Sequence, residues 1–280
     1  MRAVGSAESI ARRRRARIAI WVTASVALSA LIIASIAIWV LGGTKRAVPA
    51  QCVVGAGAAH YQLDVAQAEN ATTIAGVGKR LGMPDHAVTV ALAAALQESK
   101  LNNLSYGDRD SLGLFQQRPS QGWGTPAQIM LPRYSAKAFF DALRHVADWQ
   151  TMSVTDAAQA VQHSDAPQAY ASWEPLARSL AVATTGEVAA GLSCEFPVTR
   201  SPQPSASPIP TMTQDLGPLA LNAPGSPKRS RMAASWLVAH AQRFGITSVV
   251  FGRHQWTPRG AWITTATKQS GIQITQKPAP

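Results

Sequence analysis

The side chains able to do chemistry are concentrated between Ala91 and Thr125, where the chain reads ALAAALQESKLNNLSYGDRDSLGLFQQRPSQGWGT. Glu98 closes an apolar run. Asp108 and Asp110 follow in a turn-rich loop, then the amides of Gln116 and Gln117 after Gly113-Leu114-Phe115, then Gly122-Trp123-Gly124. Amides and the Arg118 guanidinium can bond sugar hydroxyls and acetamides, and an indole can stack on a pyranose face. A carboxyl held protonated near neutral pH would give such a cleft its general acid. Each residue also has a purely structural reading: Glu98 bonding a nearby amide or pairing with Lys100 or Arg109, the aspartates shaping turns, Trp123 packing in the core.

Helices must position these groups. Leu63, Ala66, Ile74, Val77 and Leu81 suit an amphipathic helix stopped by Gly82. Pro84 then opens a second helix, on which Val88, Ala91, Leu92, Ala95 and Leu96 recur at helical spacing and bury one face. Glu98 lies at the edge of that stripe and at the helix end, where partial desolvation and the negative end of the helix dipole both disfavour a carboxylate. Tyr134–Val146 forms a helix with Phe139, Ala142, Leu143 and Val146 on one face, and Thr155-Asp156 caps a short one. Pro167 opens another, with Tyr170, Trp173, Ala177 and Leu180 in register. No run of four or more alternating residues marks a strand between Leu63 and Leu180, so this region is mostly α.

The net charge of +11 is unevenly spread. Residues 1–17 hold six arginines against Glu8, residues 52–195 nine Lys/Arg against thirteen Asp/Glu, and residues 216–280 eight Lys/Arg and no acid. The basic character thus belongs to the two ends and makes no case for nucleic acid. Ile18–Leu41 is a run of 24 residues without a charge, with Trp21 and Trp39 near its ends. As a helix it would rise roughly 36 Å, enough to cross a hydrocarbon core of about 30 Å. Arginines crowd its N-terminal side, which puts the N-terminus in the cytoplasm and residues 47–280 outside. The rival is a cleaved signal peptide ending near Val48-Pro49-Ala50. Outside the membrane Cys52 and Cys194 can pair, closing a loop that in the chain-entropy model contributes about 4–5 kcal/mol.

Phe196–Pro227 holds eight of the 18 prolines and reads as a semi-rigid spacer. Beyond it Met232–Phe244 forms a helix stopped by Gly245, Ile246–Phe251 a strand, Gly252-Arg253-His254 a turn, and Gln255–Thr257 and Trp262–Thr264 short strands. The basic balance there suits an anionic wall polymer, lipid headgroups or a protein partner. His240 reads as core-facing or capping. Histidines and cysteines lack metal-ligand spacing, and there is neither a phosphate loop nor a Ser-His-Asp arrangement, so no metal and no cofactor is expected.

Glu98-Ser99, followed by Gly113-Leu114-Phe115-Gln116 and an aromatic helix containing Ala169-Tyr170, resembles the soluble lytic transglycosylases and goose-type lysozymes. The string from Ala95 to Thr125 looks still more like the membrane-anchored, lysozyme-like wall proteins of actinobacteria, and the likeness covers residues 58–182. The resemblance implies cleavage of the β-1,4 bond between N-acetylmuramic acid and N-acetylglucosamine in peptidoglycan glycan strands. Glu98 would protonate the leaving oxygen and then act as base while the muramyl 6-hydroxyl closes an anhydro ring. Hydrolysis would instead need a placed water or a nucleophile, for which Asp108 and Asp110 are candidates. Ser99 and Gln116 are implied as ligand or cleft-shaping residues, and Gln117, Trp123 and Tyr170 join them as candidate substrate contacts. Phe115 stands where the family has Met, and Ala171 where it has Asn. The expected chain is mainly α. It comprises a cytoplasmic tail 1–17, a transmembrane helix 18–41, a juxtamembrane linker 42–57 and a lysozyme-like catalytic domain 58–195. A Pro-rich linker 196–230, a small α+β module 231–267 and a disordered tail 268–280 complete it. The alternative is a non-catalytic peptidoglycan-binding envelope scaffold or secretion-complex component.

Overall fold

A computed structural model of the 280-residue chain describes residues 21, 28–35, 49–55, 60–196, 206–219 and 226–277. The chain divides into two compact units, Met1–Val48 and Pro49–Pro280. In the first, residues 28–35 are helical and expose Leu28, Leu31, Ile32 and Ile33. The tail 1–17, most of the expected span 18–41 and residues 42–48 lie outside the described residues. Among the described residues, no helix is long and apolar enough to cross a membrane.

The second unit is predominantly helical with two small antiparallel sheets. Strands β1 (Gln51–Val54) and β2 (Tyr61–Asp64) lead into helices α1 (Val65–Arg80) and α2 (Asp85–Ser99). The short α3 (Pro126–Ile129), then α4 (Pro132–Arg144), α5 (Val154–Gln162), α6 (Glu174–Thr184) and strand β3 (Leu192–Glu195) follow. Helix α2 is the axis of the unit. Ala87 to Leu96 are all buried, rather than one face only, because α1, α4, α5 and α6 pack around it. Five alanines on this helix allow neighbours to approach on every side, which is how a helix buried all round is accommodated. On α1 two glycines serve close packing: a Cβ on Gly78 would lie 2.7 Å from a Phe140 ring carbon of α4. The cap of α5 is Ser153, whose hydroxyl accepts from the Asp156 N–H, two residues before the expected Thr155-Asp156 cap.

The strands β2-β1-β3 form one sheet, which the sequence does not announce because four-residue strands are too short for alternation to register. Its register sets Cys52 opposite Cys194, and the two are joined in a disulfide.

The C-terminal third departs from the expected spacer, module and tail. Helix α7 (Ile209–Leu216) lies inside the stretch read as a spacer and packs on α1 with Met212 and Leu216 buried. Its fastening is polar. The buried Asp215 accepts from Arg133 Nε of α4 at 2.7 Å, from Thr73 Oγ1 of α1 at 3.2 Å, and from Trp236 Nε1 at 2.9 Å. Residues 197–205 and 220–225 lie outside the described residues. Helix α8 (Pro227–Ala239) buries Met232 to Ala239 against α1, α6, α7 and β3, and is followed by α9 (Ala241–Phe244), which Gly245 ends at φ 62°. Strands β4 (Ile246–Trp256) and β5 (Ile263–Gln276) pair as a long hairpin. Gly252-Arg253-His254 is therefore a bulged interior of β4 rather than a turn, and the expected tail is strand as far as Gln276. Too small for a core of its own, this part shares one. Trp256 Nε1 donates to Cys194 O at 3.0 Å, Trp262 Nε1 to Leu192 O at 2.8 Å, and Phe196 N to Pro258 O at 2.9 Å.

Candidate active site

Glu98 occupies the last turn of α2, and the way that helix ends determines where its carboxyl points. Lys100 and Leu101 both adopt left-handed backbone, at φ 56° and 61°. For non-glycine residues this costs of order 1 kcal/mol or more each and needs compensation from the surroundings. The Lys100 N–H returns to Leu96 O at 3.0 Å, the closing bond of an αL cap, and the Leu101 N–H to Ala95 O at 3.1 Å. The carbonyls of Lys100 and Leu101 are then taken by two amides from α1, Gln67 Nε2 and Asn70 Nδ2, each at 2.8 Å.

Next to Glu98, the buried Ser99 shares its hydroxyl between Ala95 O at 3.1 Å and Leu114 O at 2.8 Å. Ser99 therefore ties the Gly113–Gln117 loop to α2 and is not part of the cleft lining. From the other side comes Tyr170, in the 3-10 turn Pro167–Trp173, fully buried with its hydroxyl donating to Glu98 Oε1 at 2.8 Å. Burial first, and the Glu98 charge second, push the phenol well above its ordinary range, so it remains a donor. Trp173 of the same turn donates its indole N–H to Gln97 Oε1 at 2.8 Å, and Lys100 Nζ sits 4.2 Å over its ring.

Glu98 lines a cleft of about 780 Å³. Asp108, Gln116, Gln117 and Trp123 line it as well. Gln116 holds a left-handed φ of 47° and donates its amide to Tyr106 O and Gly113 O, both at 3.3 Å. A Cβ on Gly107 would come within 1.9 Å of Gln116 Oε1, so that glycine makes room for the amide. Gln117 is 2 % exposed and its amide donates to Ser135 O at 3.2 Å, which makes it mainly a brace between the loop and α4. Phe115 forms part of the cleft wall and stacks on Phe139 with ring centroids 4.8 Å apart. Trp123 is half-buried against the core with part of the indole at the cleft.

The two aspartates separate. Asp108 is in the cleft, solvent-exposed, 3.8 Å from Arg109. Asp110 is not in the lining; it accepts from Ser120 N at 2.8 Å, Arg118 Nε at 2.9 Å and Ser120 Oγ at 3.0 Å. The Ser120 N–H above all, and then Arg118, hold its carboxyl far below the usual range, so Asp110 clamps the loop. Ala171 is exposed and away from the cleft.

One wall escaped the sequence reading. The end of α5 and the turn beyond it supply Gln162, His163, Ser164 and Asp165 to the cleft. Gln162 Nε2 donates to Phe115 O at 2.9 Å, joining this wall to the motif loop, and Gln159 Nε2 holds Ser164 O at 2.8 Å. The available signal was a run of four polar residues, Gln162-His163-Ser164-Asp165, directly after an amphipathic helix, with His163 as a left-handed cap. Among the described residues, no three His, Cys, Asp or Glu side chains are grouped as a metal would require. No family model matches the chain, and no curated protein matches it.

Proposed function

We propose that the chain is a membrane-tethered, extracytoplasmic enzyme that cleaves the β-1,4 bond between N-acetylmuramic acid and N-acetylglucosamine in peptidoglycan, with Glu98 as general acid and then base. The observation that carries this reading is Glu98 on the wall of a 780 Å³ cleft furnished with amides and an indole, with the buried Tyr170 donating to its carboxyl from behind the wall. A phenol donating to Oε1 leaves the acidic proton to Oε2. That proton goes to the glycosidic oxygen as the C1–O bond breaks, and the resulting carboxylate takes the proton of the muramyl 6-hydroxyl as this oxygen bonds to C1. Such a route needs no second carboxylate, which agrees with Asp110 being engaged by Ser120 and Arg118. Trp123 stacks on a sugar ring, and Gln116 borders the same cleft. The apolar side chains exposed by residues 28–35 are in keeping with a lipid-facing helix.

The test is muropeptide release from cell-wall sacculi by residues 47–280. Glu98→Gln should lower the rate by at least about a hundredfold while leaving the thermal midpoint in place. Mass spectrometry separates anhydro ends, the expected product, from reducing ends. Equal rates in wild type and variant, or intact sacculi across a pH series, would reject the proposal. Saturable sacculus binding without turnover would favour instead a wall-gripping scaffold, a reading that the exposed Ala171, in place of an amide, keeps open.

A further inference from the structure

A second cavity, of about 680 Å³, lies between the start of α8 and the broken middle of the β4–β5 hairpin. Three cations from three elements line it: Arg231 on α8, Arg253 on β4 and Lys268 on β5. No Asp or Glu is in its wall. Among the described residues, no carboxylate lies within ion-pair distance of any of the three. Glu187, the acid nearest in sequence to this wall, faces Asp85, which is paired with Lys79 and Lys228.

Two of the cations are also oriented. Arg231 donates Nε to Gly186 O at 2.6 Å, and Arg253 donates Nη1 to Ala266 O at 3.3 Å, so each guanidinium is fixed at one nitrogen. Between them the hairpin opens. Phe251 pairs with Ile272 and Gly252 with Gln269, which leaves Ser270 and Gly271 without partners in the register. Gly252 has φ 55°, and a Cβ there would meet nothing within 4 Å, so bare backbone faces open space. Like charges gathered without counter-charge repel, and an anion removes that penalty. Donors supplied to one cavity by three separate elements suit a group with three acceptor oxygens better than a planar carboxylate with two.

We infer that the cavity formed by Arg231, Arg253 and Lys268 is a binding site for a phosphate-bearing anion, supplied either by a soluble phosphate polymer or by a lipid headgroup. The inference is independent of the chemistry at Glu98. It is tested with the full chain in neutral detergent, titrated with inorganic tripolyphosphate and, separately, with mixed micelles containing phosphatidylglycerol. The variant Arg253→Gln/Lys268→Gln removes two exposed side chains and should keep the wild-type thermal midpoint and sacculus activity. Tripolyphosphate binding that weakens with salt, and by about tenfold or more in the variant, supports the site. Equally variant-sensitive uptake of phosphatidylglycerol micelles supports it too and assigns the headgroup as a source. Binding of neither probe, or binding indifferent to the two substitutions, overturns it.

Discussion

A carboxyl that is to give a proton and then take one, as proposed for Glu98, needs one oxygen fixed and the other open. Tyr170 meets the first condition from a fully buried position, 72 residues away along the chain. Tyr170→Phe should therefore lower kcat by about tenfold or more with KM little changed, because the phenol touches Glu98 and not the cleft; a rise in KM with kcat intact would contradict this role. From sequence, Glu98 was legible: helical spacing counted from Val88 puts it at the end of a buried stripe. Tyr170 was read as a candidate substrate contact, whereas it is outside the cleft lining and its hydroxyl donates to Glu98; nothing local to Ala169-Tyr170-Ala171 encodes that contact with α2. His163 and Asp165 were invisible for the same reason: their own segment reads as a helix cap, and the packing of α5 on α2 takes them to the cleft.

Helix α7 is hidden by its composition and held by polar contacts. Its prolines read as a spacer, and eight residues would not hold a helix alone. What orders them is Asp215, 1 % exposed, bonded at once to α1, α4 and α8, together with Gly76 of α1, where a Cβ would fall 2.4 Å from Leu216 Cδ2. A buried carboxylate is tolerated only with such partners, and removing it strands the donors that faced it. Asp215→Ala should cost about 2–4 kcal/mol in urea unfolding and should speed amide exchange in 209–216 before that in α2. Unchanged stability, or equal loss of protection in both helices, would count against this fastening. Periodicity revealed α1, α2 and α4 because their signal is repeated apolar spacing. One polar residue meeting three distant donors leaves no such trace.

At the scale of the molecule, the buried His240 and the half-buried Glu69 pull stability in opposite directions with pH. Burial lowers His240 to about 3, while its Nδ1 lies 2.9 Å from Trp236 O and its ring stacks on the indole. From its ordinary value of about 6.5 down to about 3, the unfolded chain holds a proton that the folded chain refuses, so this group removes stability as pH falls. Burial raises Glu69 from 4.5 to about 7, so between those values the folded chain holds the extra proton and stability falls as pH rises. Over pH 4.5–6.5 the two effects oppose and their combined slope is small. Denaturation of Glu69→Gln across that window should uncover a climb of about 1 kcal/mol per pH unit, and adding His240→Gln should level it again; a flat profile in the single variant would refute the pairing. The Cys52–Cys194 bridge has a mechanical consequence. The bonded strands β1 and β3 stand side by side, so the covalent path of tension entering at Pro49 crosses from one sulfur to the other instead of running along the 142 residue steps between them. Reduction should add roughly 500 Å of contour length to the chain when it is pulled from its ends.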